Sequence, residues 1–600
     1  MIFNERKVGA NYKDAQCIFS VWAPHRHHVG LHIKNQIIDL KPEAYGYWSV
    51  EVSDIKPGEQ YYFVLDRDKK LPDPASLYQP DGVHGASAVI DQSFSWTDHD
   101  WKGIPMKEMI IYELHVGTFT EKHNFEGIID RLPYLKNLGI NTIELMPIAE
   151  FPGARNWGYD GVFPFAVHHA YGAHVGLKRV VDAAHQLGIA VILDVVYNHV
   201  GPEGNYLNEY GPYFTTKYQS FWGNAMNFDD AYSYGVRNFY WQNALMWLED
   251  FHIDGLRMDA VHAIWDFGAK HFIQELMQKV RALEKALNKT KVIIAELDLN
   301  NPRYIDPEQR GGYAMDGQWI DEFHHALHAL LTGEVNGYYE DFGKAFHLSK
   351  ALRDSYVYTG EYSVHRKKYF GARPVDHPYS QFVVFSQNHD QIGNRMLGDR
   401  LTTQLSLEAL KLAAATVLLS PHVPLLFMGE EYGEKKPFQY FISHLDEELV
   451  EQVRKGRKEE FSYFKWSGEV PDPQSEDTFE QCVLSWKTEE GEGRRLFHFY
   501  RELIALRKNH PAFHADERNS VEVLDMGEKK IIAFTRKGNN DVVLILLNFN
   551  ASDVDYTITS DNVFKIFDSA AVEWNGPGEC NLLGKSILLK AHSAVVLELQ

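Results

Sequence analysis

Cysteine is scarce: Cys17, Cys482 and Cys580 are all that 600 residues contain, too dispersed and odd in number for a disulfide framework. We therefore expect a reducing compartment, the cytoplasm. Long apolar runs are missing too. No stretch approaches the roughly 18 consecutive apolar residues of a membrane span. The opening MIFNERKVGANYKD has no basic start leading into an apolar run, so we expect neither a membrane span nor a secretion leader. Positive charge is in deficit, with 60 Lys and Arg against 82 Asp and Glu and a formal net charge of -22. That balance repels polyphosphate and argues against nucleic acid or anionic membrane as partners. Solenoid-spaced repeats and low-complexity tracts are absent. No complete ligand set stands at metal spacing: HHALH, with His324, His325 and His328, comes nearest, and HRHH around His25 reads as surface. We expect no cofactor and no required metal.

What is there divides into three parts. At this length one core is not enough, and two to four domains are expected. CIFSVWAP, HVGLHI, YWSVEV and QYYFVLD are short strand-like runs broken by Pro, Gly and Asp clusters, which predicts an antiparallel β domain over residues 1–95. From about Lys107 the rhythm becomes apolar strand, loop, amphipathic helix. Strands are expected at MIIYELHVG, NTIELMPI, IAVILDVVYN, IDGLRMDAV, KVIIAELD, GQWIDEF, FVVFSQNHD and VPLLFMGEE, with helices such as Gly176 to Leu187 and Phe272 to Leu287 between them. About eight such units argue for an α/β fold, a closed (β/α)8 TIM barrel over residues 96–510, with an inserted loop region near 200–232. KIIAFTR, DVVLILLNFN and AVVLELQ then predict a closing antiparallel β domain over 511–600. The charged run DEELVEQVRKGRKEE reads as a solvated helix face.

In a parallel barrel the active site lies at the C-terminal strand ends, and that is where the polar residues stand. Strand neighbours at i and i+2 point the same way, so Arg257 and Asp259 in GLRMDAVHAI face one space together. The third strand ends with Asp194, Asn198 and His199, the fifth with Glu296, and the seventh with His389 and Asp390. Carboxylates placed after apolar runs are costly without a partner or a task. Several of them converging in one mouth suit glycoside hydrolysis, in which one attacks the anomeric carbon and another donates a proton. An Arg beside the attacking carboxylate keeps it ionised. Asp259 is therefore the expected nucleophile, and Glu296, with Ile293, Ile294, Ala295 and Leu297 around it, the expected proton donor.

DVVYNH, GLRMDAV, AEL and SQNHD, in that order and spacing, resemble the strand-end motifs of the α-amylase superfamily of retaining glycosidases and transglycosidases. The resemblance covers nearly the whole chain, with FSVWAP signalling a leading immunoglobulin-like β-sandwich and a second β-sandwich trailing. It implies Asp259 as nucleophile, Glu296 as general acid/base and Asp390 gripping the hydroxyls of a distorted sugar. Asp194, His199, Arg257 and His389 then belong to the same sugar subsite, and Tyr159 in NWGYDGV supplies the aromatic platform beneath it. Within the superfamily, YELHVGTFT, MPIAEFPGARNWGYDGV, DAVHAI and DGQWIDEFHHALHALLTGE resemble the malto-oligosyltrehalose trehalohydrolases. That implies cleavage of the α-1,4 bond next to a terminal trehalose, on a substrate made by a malto-oligosyltrehalose synthase as metabolic partner.

A pocket beyond the cut must accept two glucoses joined 1,1. Asp321, Phe323, His324 and His325 at the sixth strand end are expected to contribute, with packing as the other reading for Phe323 and His325. His262 stands where many amylases carry part of a Lys-His pair, and is expected to face the trehalose. Asn198 matches a calcium ligand of many amylases, without a full oxygen cage in view. Two other readings stay open: a branching enzyme or other α-glucan transglycosidase or amylase, and a catalytically silent glycan-binding protein.

Overall fold

The structure, a computed structural model, describes residues 8–220, 222–374, 376–462, 469–488, 491–527, 529–560 and 562–600. Eight parallel strands close into a barrel: β1 Ile111–Leu114, β2 Thr142–Leu145, β3 Ala190–Val195, β4 Gly255–Met258, β5 Val292–Ala295, β6 Gly317–Trp319, β7 Phe382–Phe385 and β8 Val423–Phe427, with β8 pairing back onto β1. Each is fully buried, which is why the sequence shows short apolar runs instead of alternation. Ile111, Ile192, Ile294, Trp319, Val383, Phe385 and Leu425 belong to the cluster that fills the barrel. All eight predicted strands are present.

Helices intervene as the periodicity predicts. α1 (Phe125–Leu138) is capped by Asn124 and stopped by Gly139 at φ 106°, a left-handed conformation that glycine adopts without a side-chain clash. α2 (Ala173–Gln186) precedes β3, α3 (Ser233–Glu249) precedes β4, and α4 (Phe272–Leu287) has the predicted bounds. α5 (Asp321–Thr332) follows β6 directly, α6 (Leu407–Leu419) precedes β8, and α7 (Glu447–Ser462) carries the charged run.

Antiparallel strands between Gly9 and Ala88 form two sheets before the barrel, and strands between Val521 and Leu599 form two after it. Between β3 and α3, the expected inserted region holds a short helix, Leu207–Tyr210, and a hairpin of Phe214–Ser220 with Gly223–Met226. The leading sheets dock there: Arg26 Nε donates to the Glu209 carbonyl at 2.8 Å, and Tyr210 OH donates to the Pro72 carbonyl at 2.7 Å. Among the described residues no helix is long and apolar enough to cross a membrane.

Candidate active site

Parallel pairing fixes the register of the barrel mouth. Asp194 on β3 lies opposite Arg257 on β4, and both side chains point inward. Arg257, fully buried, uses one nitrogen, Nη1, to reach Asp194 Oδ2 at 2.8 Å and Asp259 Oδ1 at 2.9 Å. Its guanidinium lies over the Trp319 ring, 4.3 Å from the centroid, a cation–π contact that pins its plane. Nη2 stands 3.8 Å from Glu296 Oε2. Thus the paired Arg and Asp of GLRMDAVHAI share one space, and Glu296 shares it with them.

Asp259 receives further support from the loop after β3, where Asn198 Nδ2 donates to its Oδ2 at 2.9 Å and to its carbonyl at 2.8 Å. Burial pushes the Asp259 carboxyl up, but Arg257, His199 and Asn198 together outweigh burial and hold it below its ordinary value. Glu296 moves the other way. Burial raises its carboxyl well above the ordinary value, Arg257 opposes this, and the nearby Asp259, Asp321 and Asp390 add to the rise. Ala260, in the left-handed region at φ 38°, aims its N–H at Glu296 Oε2 over 2.6 Å. The two carboxyls therefore differ in protonation inside one cleft, the condition for nucleophile and proton donor to coexist.

Beneath them runs a second chain. Tyr159 OH donates to Asp194 Oδ2 at 2.6 Å and meets His389 Nε2 at 2.7 Å. His389 Nδ1 bonds Glu113 Oε1, and its backbone N–H donates to Glu113 Oε2 at 3.0 Å. Burial lowers the imidazole, but Asp390 and Glu113 raise it further, to about 9, so the ring donates from both nitrogens at neutral pH. His199 donates through Nε2 to the Tyr159 carbonyl at 3.1 Å and stacks on Trp222 at 4.5 Å. Asp390 is the open member: its side chain is 40% exposed and faces the cleft.

The cleft holds about 800 Å³ and is lined by Tyr159, His199, Asp259 and Asp390, the size of a ligand site. On one flank stand Asn205, Asn208 and Trp222 of the inserted region together with Tyr440 and α7 residues Leu449, Gln452 and Val453. On the other, Asp321 sits within 3.5 Å of Gln391 Nε2, and burial, then Asp298 and Asp390, raises its carboxyl to about 7. Half-buried His262 senses Asp298 and Asp259, and Arg366 pairs with Asp298 through Nη1 at 3.0 Å.

The structure thus brings together Asp194, Tyr159, His199, Arg257, Asp259, His262, Glu296, Asp321, His389 and Asp390. It does not bring Phe323 or His324. Phe323 is 0% exposed and packs against His422. His324 spends both nitrogens internally, on the Ser386 carbonyl at 2.7 Å and on Tyr339 OH at 3.0 Å. Asp321 begins α5, so the helical turn carries the next residues away from the mouth into the core. The α7 run presents its charged side to solvent as expected, and Leu449, Gln452 and Val453 of the same helix also line the cleft. Among the described residues, Glu150, His168 and His169 have potential metal-ligand atoms within 4.8 Å of one another. Glu150 is already engaged by His169, from Nδ1 at 2.7 Å and from the backbone at 2.9 Å.

Comparisons with known proteins agree with this geometry. The profile of the alpha-amylase catalytic domain matches residues 92–234. A malto-oligosyltrehalose trehalohydrolase of Saccharolobus solfataricus is 46% identical over 82% of this chain and 85% of its own. The chain belongs to the malto-oligosyltrehalose trehalohydrolase family. The trehalohydrolase of Mycobacterium tuberculosis is 39% identical over 96% of this chain and 98% of its own. Among solved structures, a putative alpha amylase from Salmonella typhimurium superposes with TM-score 0.90 at 37% identity, covering 99% of this chain and 100% of that one. Both β-rich flanks fall within the length matched to the Mycobacterium tuberculosis relative, apart from a few residues.

Proposed function

We propose that this protein hydrolyses the α-1,4 bond next to the terminal trehalose of malto-oligosyltrehalose, releasing trehalose and a malto-oligosaccharide with retention at the anomeric carbon. The observation that carries this reading is the convergence of Asp259 and Glu296 on the Arg257 guanidinium, at 2.9 and 3.8 Å, in surroundings that lower the first carboxyl and raise the second. Asp259 attacks the anomeric carbon while Glu296 gives its proton to the departing oxygen. Glu296, now a carboxylate, then takes a proton from the water that releases the glycosyl-enzyme. Asp390 holds sugar hydroxyls, and Tyr159, fixed by Asp194 and His389, lies under the ring.

Family membership supports trehalose as the leaving group, and the polar flank of His262, Asp298, Asp321 and Arg366 supplies donors and acceptors for a disaccharide with no reducing end. The glucan chain then lies along the opposite flank, among Trp222, Tyr440 and α7. The three cysteines are free and buried, which supports a cytoplasmic setting, with the synthase that builds the trehalose terminus as a metabolic partner.

Product analysis on maltotriosyltrehalose and maltopentaose tests the reading. Free trehalose from the first, little breakdown of the second, and an initially α-configured malto-oligosaccharide are expected. Comparable cleavage of maltopentaose, or new 1,6 branches, would leave the carboxylates standing and overturn the substrate.

A further inference from the structure

Directly below the cleft, Glu144 on β2 is register-paired with Glu113 on β1, so both side chains enter the barrel side by side. Both are 1% exposed. Glu113 spends its two oxygens on His389. Neither oxygen of Glu144 has a hydrogen-bond partner among the described residues, and the same layer holds an unpartnered acceptor, Asp194 Oδ1, and unpartnered donors, Arg257 Nε and Nη2. Buried polar groups do not stay unpaired without cost.

Charge narrows what Glu144 can be. The cations facing this layer are Arg257 and His389. His389 answers Glu113 and stands 3.4 Å from Asp390. Arg257 answers Asp194 and Asp259, with Glu296 3.8 Å away. A further carboxylate would be an uncompensated buried charge, and such a group takes up a proton instead. Burial, then the neighbouring Glu113 and Asp194, raise the Glu144 carboxyl well above its ordinary value, against Arg257 and His389. Burial raises Asp194 too, to about 7, but Arg257 at 2.8 Å keeps Asp194 the charged member. A neutral acid also offers one donor and one acceptor, matching the open acceptor of Asp194 and the open donor of Arg257. A carboxylate offers acceptors alone.

We propose that Glu144 is a neutral carboxylic acid and a positioning residue: it completes the polar layer under the cleft and leaves the Arg257 charge to Asp259. The positioning role rests on Asp259 being the nucleophile. The protonation state does not.

Infrared difference spectra of wild type against Glu144→Gln test the protonation directly. Loss of a carboxylic-acid carbonyl band at pH 7 is expected; loss of carboxylate bands overturns it. Stability gives an independent sign. A carboxyl raised on folding costs stability as pH rises from its unfolded value towards its folded one. Glu144→Gln should therefore gain thermal stability relative to wild type as pH rises above the ordinary glutamate range of about 4–5. A gain confined to acid, or failure of this neutral isostere to fold, overturns the proposal.

In kinetics, Glu144→Gln should keep kcat within about threefold and leave both limbs of the pH profile in place. A downward move of the basic limb would reveal a lost anion beside Glu296 and overturn the proposal. Glu144→Asp, too short to fill the layer, should lower kcat about tenfold or more with KM nearly unchanged. Wild-type kcat in Glu144→Asp overturns the positioning role alone. If the substrate assignment fails, the spectra and the stability slope keep their meaning.

Discussion

Arg257 holds the residues of the mouth in relation to one another. From one buried guanidinium it reaches Asp194, Asp259 and, at longer range, Glu296, and no second Arg or Lys side chain makes an ion pair with any of the three among the described residues. The two carboxyls proposed as nucleophile and proton donor should consequently give a bell-shaped kcat/KM profile. Asp259, lowered, stays ionised until pH falls below its ordinary range, and Glu296, raised, keeps its proton until pH climbs through a value well above its own. In Arg257→Lys the shorter, forkless cation serves Asp259 less well, so the acid limb should move to higher pH and kcat should drop about a hundredfold. Kinetics across pH check this; an unmoved acid limb would remove Arg257 from the role. These residues were legible in the sequence because polar groups at parallel strand ends have one direction to face. Phe323 and His324 misled for the same reason in reverse: they also follow a strand, but they already lie on a helix, where facing depends on a 3.6-residue turn that starts at Asp321.

At the scale of elements, the strand-to-loop step after β4 does work that neither strand nor helix does. Asp259 N–H still follows the ladder, donating to the Val195 carbonyl at 3.0 Å, and Val261 N–H donates to the Glu296 carbonyl at 3.0 Å. Ala260 between them turns left-handed and delivers its N–H to the Glu296 side chain. Such a conformation in a residue with a Cβ costs about 1–3 kcal/mol and persists where surroundings enforce it. Ala260→Gly should therefore retain turnover within a few-fold, whereas the β-branched Ala260→Val should lose about 1–3 kcal/mol of stability and most activity. Thermal melts and kcat decide between them, and an unimpaired Val variant would show the turn to be permissive. The sequence does not announce this turn, because an alanine there carries no sign of positive φ. The eight strands were legible, since burial on both faces leaves an apolar run in plain view. α7 was legible as a helix but not as a wall: Leu449, Gln452 and Val453 among many charges look like an ordinary helix face, and only the fold shows that this face meets the cleft.

The two β-rich flanks are held to the barrel in different ways, the trailing one by buried cations that meet backbone carbonyls. Behind the barrel, Arg507 and Arg536 donate to the Ser420 carbonyl at 2.6 and 2.8 Å, and Lys411 on α6 donates to the Ser569 carbonyl at 2.7 Å. In front, the docking is aromatic. Trp22 of the leading sheets, 1% exposed, meets Tyr213 edge-on at 5.1 Å and lies flat against Gly235 in the first turn of α3. A Cβ at Gly235 would come within 2.0 Å of Trp22 Cε2 and 2.3 Å of its Cζ2, a distance no rotamer of a buried indole relieves cheaply. Glycine here is required by close approach, and its requirement was invisible until the partner 213 residues away was placed beside it. Gly235→Ala should cost about 1–3 kcal/mol through overpacking. It should expose the junction around Arg26 and Glu209 to limited proteolysis. Since the inserted region that carries this junction also lines the cleft with Asn205, Asn208 and Trp222, KM for long chains should rise while kcat changes little, the signature of lost ground-state binding. Trp22→Phe added to Gly235→Ala removes the clashing ring and should recover part of the melting temperature and of KM. A Gly235→Ala variant with wild-type melting, proteolysis and KM would show that the leading sheets move freely of the cleft they abut.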